Sequence, residues 1–268
     1  MSAAHRVSRP LAAAGVTALA AAALVAAQQL GGPPAAAAPA DEATVVRGAG
    51  DIGPAVRRYR NLLGPDNGGA PGGDPAGRRE INWDGVPDSL ASPRRFPSGF
   101  FNAATAPRAR GAVLRTPGSG LRVSADSDNP DGAAPRFGDI NPSYTSEFRA
   151  FSAERLFSPV GSNIANLTFR VPGTTTRAVV RGFGAVYTGI DLRENTAFQY
   201  FDRSGRSLGK YSVPRGTRKL SFLGVVFDEA IVARVRIEYG NRPLGPSESP
   251  GVDVAVMDNF IYGEPVRP

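Results

Sequence analysis

The clearest regularity in this chain is a two-residue alternation of apolar and polar positions in its C-terminal half. In IVARVRIEY (231–239), Ile231, Ala233, Val235, Ile237 and Tyr239 share one parity, while Arg234, Arg236 and Glu238 take the other. Side chains alternate faces along a strand, so this pattern predicts a strand with one dry face and one wet face. Similar runs are LTFRV (167–171), RAVVRGFGAVY (177–187), TAFQYF (196–201), LSFLGVVF (220–227) and VDVAVMDNFIY (252–262). LSFLGVVF is apolar on both parities, as expected of a strand covered on both faces. Gly, Pro, Asn and Asp clusters separate the runs at short intervals, which predicts an antiparallel sandwich or barrel rather than a βαβ sheet.

One segment carries the helical period instead. In DIGPAVRRYRNLL (51–63), Ile52, Val56, Tyr59 and Leu63 recur on one face, with Arg57, Arg58 and Arg60 opposite. Pro54 suits a first turn and Gly64–Pro65 a stop, so an amphipathic helix lying on the sandwich is expected. Just before it, Gly48-Ala49-Gly50-Asp51-Ile52-Gly53 is formally G-x-G-x-x-G. The βαβ frame that a dinucleotide site needs is missing around it, so the match is set aside. The Gly/Pro loop 64–77 is expected to be either mobile or wrapped on the surface. RREINWDGVPD (78–88) reads as a strand closing in a turn. RGAVLRT (110–116) and GLRVSA (120–125) read as a hairpin joined by PGSG. EFRAF and ERLFSPV, within 145–160, read as short strands around a turn.

Residues 1–40 have a basic start, an apolar Ala-rich run and small residues at the end. This is the pattern of a secretory signal peptide cut after Ala38 or Ala40. The expected organisation is therefore a signal peptide (1–40), a lead-in with the helix and Gly/Pro loop (41–77), and a β-sandwich domain (78–268). Export with no membrane segment after cleavage makes the chain secreted, and zero Cys means that its core, with or without a metal ion, must hold it without disulfides. The single His lies in the signal segment, which removes His-based nucleophilic triads, His general bases and ordinary zinc sites from the remainder. Of the 31 Lys and Arg, two lie in the signal, leaving 29 against 24 acids. The Arg are scattered in ones and twos among acids (Arg57/Arg58, Arg78/Arg79, Arg94/Arg95), so no basic stripe and no nucleic-acid partner are expected.

Three constellations could carry chemistry. Asp126-Ser127-Asp128-Asn129-Pro130-Asp131-Gly132 fails the EF-hand spacing. It leaves a looser oxygen-ligand Ca²⁺ site, or an Asp/Asn turn capping its own backbone. Asp258 has core-facing parity in an unbulged strand, where a carboxylate requires a cation or several donors; an Arg, a bulge or Ca²⁺ would each answer that need. Asp258 and Asn259 with Asp84 or Glu80 would form a clamp between chain ends. No two acids sit at the strand spacing that would aim a glycosidase pair into one cleft; Glu147, Glu154, Asp191, Glu194, Asp228 and Glu229 all fail it. Sugar stacking is open to Trp83, Tyr144, Tyr187, Tyr200, Tyr211 and Tyr239, of which Trp83, Tyr187 and Tyr200 are taken forward as ligand platforms.

The runs REINWDGVPD, LRVSADSDNP, RFGDINPSY, ERLFSPVGSN, VVRGFGAVYTGID, LGVVFDE and VAVMDNFIYGEP resemble a group of exported bacterial proteins of unassigned activity. The closing strand is similar to that of jelly-roll domains such as carbohydrate-binding modules. That resemblance implies a structural Ca²⁺ near the chain ends, with Asp258 as one ligand, and brings no catalytic residues. The expectation is thus an all-β, antiparallel, jelly-roll-like β-sandwich with one N-terminal amphipathic helix packed against it. The expected function is secreted non-catalytic binding of carbohydrate, a cell-surface glycan or a cell-wall polysaccharide. The alternatives are a carboxylate-based extracellular hydrolase and a structural surface protein.

Overall fold

The structure, a computed structural model, describes residues 42–268. The signal-peptide expectation lies outside the described residues. Thirteen strands are described: β1 (Ala43–Ala49), β2 (Arg78–Ile81), β3 (Ala112–Arg115), β4 (Gly120–Val123), β5 (Phe157–Val160), β6 (Ile164–Arg170), β7 (Arg177–Ala178), β8 (Gly182–Thr188), β9 (Ala197–Phe201), β10 (Ser207–Ser212), β11 (Ser221–Phe227), β12 (Arg234–Glu238) and β13 (Val256–Gly263). Two α-helices accompany them, α1 (Gly53–Leu63) and the single turn α2 (Tyr144–Glu147), with a 3-10 turn at Asp88–Leu90. The seven-stranded sheet runs β1-β11-β8-β13-β5-β4, with β2 also on β13; the six-stranded sheet runs β10-β9-β12-β6-β3, with β7 on β6. Every pairing between strands is antiparallel.

Within this frame β5-β13-β8-β11 faces β6-β12-β9-β10. Of the connections among these eight strands only β9–β10 stays within one sheet, and the others cross between sheets. That order is a jelly roll. The sheets bury one apolar layer between them, from Trp83, Phe157 and Phe260 at one side to Phe198, Tyr200 and Tyr239 at the other.

β12 obeys the alternation read from the sequence, with Val235, Ile237 and Tyr239 buried and Arg234, Arg236 and Glu238 facing out. β11 is buried along its whole length because α1 covers its outer face. The helix docks through Tyr59, whose ring sits over facing glycines of β8 and β11. Gly184 and Gly224 are register partners. A Cβ on Gly224 would lie 2.5 Å from the Tyr59 ring, and one on Gly184 2.8 Å from it. The glycines inside these two apolar strands therefore make a socket for one aromatic ring. Residues 43–49, expected as lead-in, are instead the sheet's edge strand, paired over seven residues with β11.

Two local expectations are corrected. PGSG does not close a hairpin: β3 pairs β6 in one sheet and β4 pairs β5 in the other, so the turn bridges the sheets. Nearby, Ser119 N–H donates to the Val160 carbonyl at 2.7 Å, pinning this turn beside the β5–β6 crossing. EFRAF is not a strand. Its first residue, Glu147, ends α2, and Phe148 joins Tyr144, Leu156 and Val254 in a satellite cluster on the seven-stranded sheet.

The Gly/Pro loop 64–77 is wrapped rather than loose. Arg79, wholly buried, donates from Nε (2.6 Å) and Nη2 (2.8 Å) to the Glu264 carboxylate. Its remaining N–H groups reach the carbonyls of Gly68 (3.0 Å), Ala70 (2.7 Å), Ala109 (3.1 Å) and Gly72. The loop thus satisfies its own backbone on a guanidinium.

Candidate functional site

Of the acids singled out in the sequence, Asp84, Asp126 and Asp128 line one cleft, Asp258 lies close enough to feel the charge of Asp84, and Glu80 pairs instead with Arg60 and Arg78. β13 is bulged between Met257 and Phe260, so the bulge alternative for Asp258 is the one that the structure shows. Its carboxylate accepts the N–H of Phe151 (2.6 Å) and Ser152 (3.3 Å) and the Ser152 hydroxyl (3.0 Å). Asn259 Oδ1 takes the same hydroxyl at 2.8 Å. The bulge leaves the Asp258 carbonyl outside the β-ladder, and Trp83 Nε1 donates to it at 2.8 Å. Burial, reinforced by the negative charge of Asp84, pushes the Asp258 carboxyl up to about 6 against the lowering effect of its donors.

Asp84 accepts the N–H of Glu154 and Arg155 through one oxygen. Asp126 pairs with the buried Arg155 guanidinium at 2.5 Å, and Asp88 pairs with the same nitrogen. Asp84, Asp126, Asp128 and Glu154 line a cleft of about 320 Å³ with Arg155 in it. A cation already sits among these acids. In the same segment Asn129 Oδ1 accepts the Asp131 N–H, as in the capped-turn reading.

The aromatic platforms are corrected. Trp83, Tyr187 and Tyr200 are all 0 % exposed, so none offers a face to a sugar. Trp83 stacks on Phe157 at 4.2 Å, and Tyr200 donates its hydroxyl to the Phe183 carbonyl at 2.8 Å. Their large apolar rings fill the layer between the sheets, where burial is worth most.

The feature that the sequence reading missed is the outer face of the six-stranded sheet. Its outward residues are half-buried or exposed, in contrast to the outer face of β8, β11 and β13. Register assembles one row across five strands, Arg115–Asn166–Arg236–Gln199–Lys210. At the spacing of adjacent strands it spans ~19 Å. Beside it runs Val113–Thr168–Arg234–Phe201–Ser207. Arg234 stacks on the Phe201 ring at 3.6 Å and donates to Asn166 Oδ1 at 3.1 Å, which fixes the guanidinium in place.

At the end of this face lies a cleft of about 700 Å³ whose lining includes Arg115, Arg170, Arg177, Arg203, Arg234 and Asp202. Arg170 and Arg177 are direct cross-strand partners, an arrangement that repels. Desolvation and the charge of Arg236 lower the proton affinity of Arg234. The acids nearby are engaged. Glu238 pairs with Lys210 (2.6 Å) and Arg236 (3.6 Å), and Asp202 pairs with Arg206 (2.9 Å). Positive charge is in excess here and is pre-positioned.

The expectation that no basic stripe forms is therefore corrected. Arg115, Arg170, Arg234 and Arg236 are dispersed over more than a hundred positions, and strand order brings them together. The usable signal was outward parity within each strand; the missing one was which strands are neighbours.

No protein-family model and no curated protein matches the chain. Among solved structures, the enzymatically active domain of tailspike protein 4 from bacteriophage CBA120 is aligned over 72% of this chain and 22% of that one, at 15% identity and a TM-score of 0.29. The chain thus spans about a fifth of that protein's length. A superposition that distant leaves the fold to be read from strand pairing alone.

Proposed function

We propose that this chain is a secreted, non-catalytic binding domain whose ligand is an acidic polysaccharide laid across the six-stranded sheet. The observation that carries the reading is the five-strand row of cations and amides beside an arginine-lined cleft. Arginine forks suit carboxylate or sulfate groups, and the interleaved Asn166 and Gln199 suit sugar hydroxyls. Single-stranded nucleic acid is a poorer fit, because base stacking needs exposed aromatic faces and this surface holds only the Phe201 ring, already under Arg234. A neutral glycan would leave the Arg170–Arg177 repulsion unrelieved.

The test is calorimetric titration with a polyuronate, a sulfated polysaccharide, a neutral glucan and single-stranded DNA, at two salt concentrations, with reducing ends assayed in parallel. Binding of the acidic glycans alone, weakened by salt and at least ~10-fold weaker in Arg234→Ala/Arg236→Ala, is the expected result. Equal binding of the neutral glucan, preference for DNA, or indifference to the double substitution would overturn it. Release of reducing ends would move the chain to the hydrolase class.

A further inference from the structure

A second polar centre lies at the opposite end of β9 from the arginine cleft, where the β8–β9 connection meets the segment before β13. Asp253 is 0 % exposed. Its Oδ1 accepts the N–H of Asp191 at 2.7 Å and of Leu192 at 3.3 Å. Its own N–H donates to Asn241 Oδ1 at 2.8 Å, so the residue is held rigidly. The other oxygen, Oδ2, is buried and has no donor, and the same holds for Oδ1 of Asp191. Buried carboxylate oxygens without partners are costly, and two on neighbouring acids add mutual repulsion.

The surroundings point the same way. Burial raises the proton affinity of Asp253, the negative charge of Asp191 adds to it, and Arg215 offsets it only in part. Arg215 is exposed and spends its Nε on the Thr217 hydroxyl at 3.0 Å. A cleft of about 420 Å³ opens over Asp191 and is lined by Glu147, Glu248, Arg215 and Arg218. Glu248 is itself raised, first by burial and then by Glu147, Asp191 and Asp253. Where the acids around Asp126 surround a buried arginine, these do not.

We propose that Asp253 Oδ2 and Asp191 Oδ1 are the protein half of a Ca²⁺ site, with water completing the shell and Glu248 as its outer carboxylate. The donor set is oxygen only, borne on loops, which suits the flexible coordination of Ca²⁺ better than the strict octahedron of Mg²⁺. Among the described residues no group of three or more His, Cys, Asp or Glu is placed to hold a metal ion, and the site proposed draws on two carboxylates. Bound there, the ion would tie the β8–β9 connection to the start of the last strand.

The test uses the full chain, stripped with EDTA and titrated with CaCl₂ or MgCl₂ by calorimetry and thermal melting. The variants are Asp253→Asn, Asp191→Asn and Asp126→Asn. Expected are one Ca²⁺ per chain and a calcium-dependent rise in Tm. Both should weaken at least ~10-fold in Asp191→Asn and Asp253→Asn and persist in Asp126→Asn. Asp191 is partly exposed, so its variant reports even where Asp253→Asn fails to fold. No calcium response in the wild type overturns the site, since a proton shared by the two acids would then explain the geometry. A response that survives Asp191→Asn, or one lost only in Asp126→Asn, overturns it equally.

Discussion

Asp258 places two effects in opposition, and stability against pH measures which one wins. Three donors favour its anion, while burial and the charge of Asp84 favour the acid, with a net rise from 3.8 to about 6. A carboxyl with a raised folded value contributes stability that is fully present below about 3.8 and lost as pH rises through about 6. The full difference of roughly two pH units corresponds to ~3 kcal/mol. Between pH 7.5 and 5.0 the linkage relation gives a gain of about 1.4 kcal/mol on acidification. Asp139, Glu248 and Asp253 are raised as well and slope the same way, so the quantity to isolate is wild type minus Asp258→Asn. Urea unfolding followed by the fluorescence of Trp83, the only tryptophan, reports from beside the bulge. With a slope of ~2–3 kcal/mol per M, the wild-type midpoint should gain about 0.5 M over the variant on going to pH 5.0. Parallel profiles, or a wild type that loses ground to the variant on acidification, would show that the N–H donors outweigh burial and would refute the reasoning.

Other substitutions test other parts of the structure. Glu264→Ala strands a buried guanidinium and is expected to cost ~3–5 kcal/mol in urea unfolding and to open 64–77 to proteolysis; an unchanged midpoint would mean that the loop carbonyls alone hold Arg79. Gly224→Ala drives a methyl into the Tyr59 ring and should cost ~1–3 kcal/mol, with faster amide exchange in α1 than in β6; uniform exchange would deny the socket. Arg177→Ser removes one of two opposed cations. It should raise Tm slightly while weakening binding of a polyuronate, and a loss of both would make Arg177 a plain structural residue.

The sandwich was legible because burial imposes a two-residue period that survives in one strand at a time, as in Val235, Ile237 and Tyr239. The helix was legible for the same local reason, down to Val56, Tyr59 and Leu63 on its buried face. What escaped was everything that depends on which strands are neighbours. PGSG has hairpin chemistry, yet β3 pairs β6 and β4 pairs β5 in the other sheet, so sheet pairing overrode the turn. Trp83, Tyr187 and Tyr200 were read as ligand platforms because residue type does not say which face of a strand looks inward across a second sheet. The arginines looked scattered because Arg115 and Arg236 become neighbours only through Asn166 between them. Asp258 and Asn259 with Asp84 or Glu80 were read as a clamp between chain ends; in the structure Asp84 and Asp258 each accept N–H groups of the 151–155 backbone, and Glu80 pairs with Arg60 and Arg78.

The Arg79–Glu264 pair joins positions 185 residues apart and is the hub on which the Gly/Pro loop is wound. A chain that leaves a ribosome or a translocation pore N-terminus first presents Arg79 and its loop long before Glu264 arrives. Until then the guanidinium lacks its counter-charge, and the carbonyls around it are served only by water. Closure of residues 64–77 is therefore a late event by connectivity: the guanidinium on which they are wound gains its counter-charge only from the last strand's end.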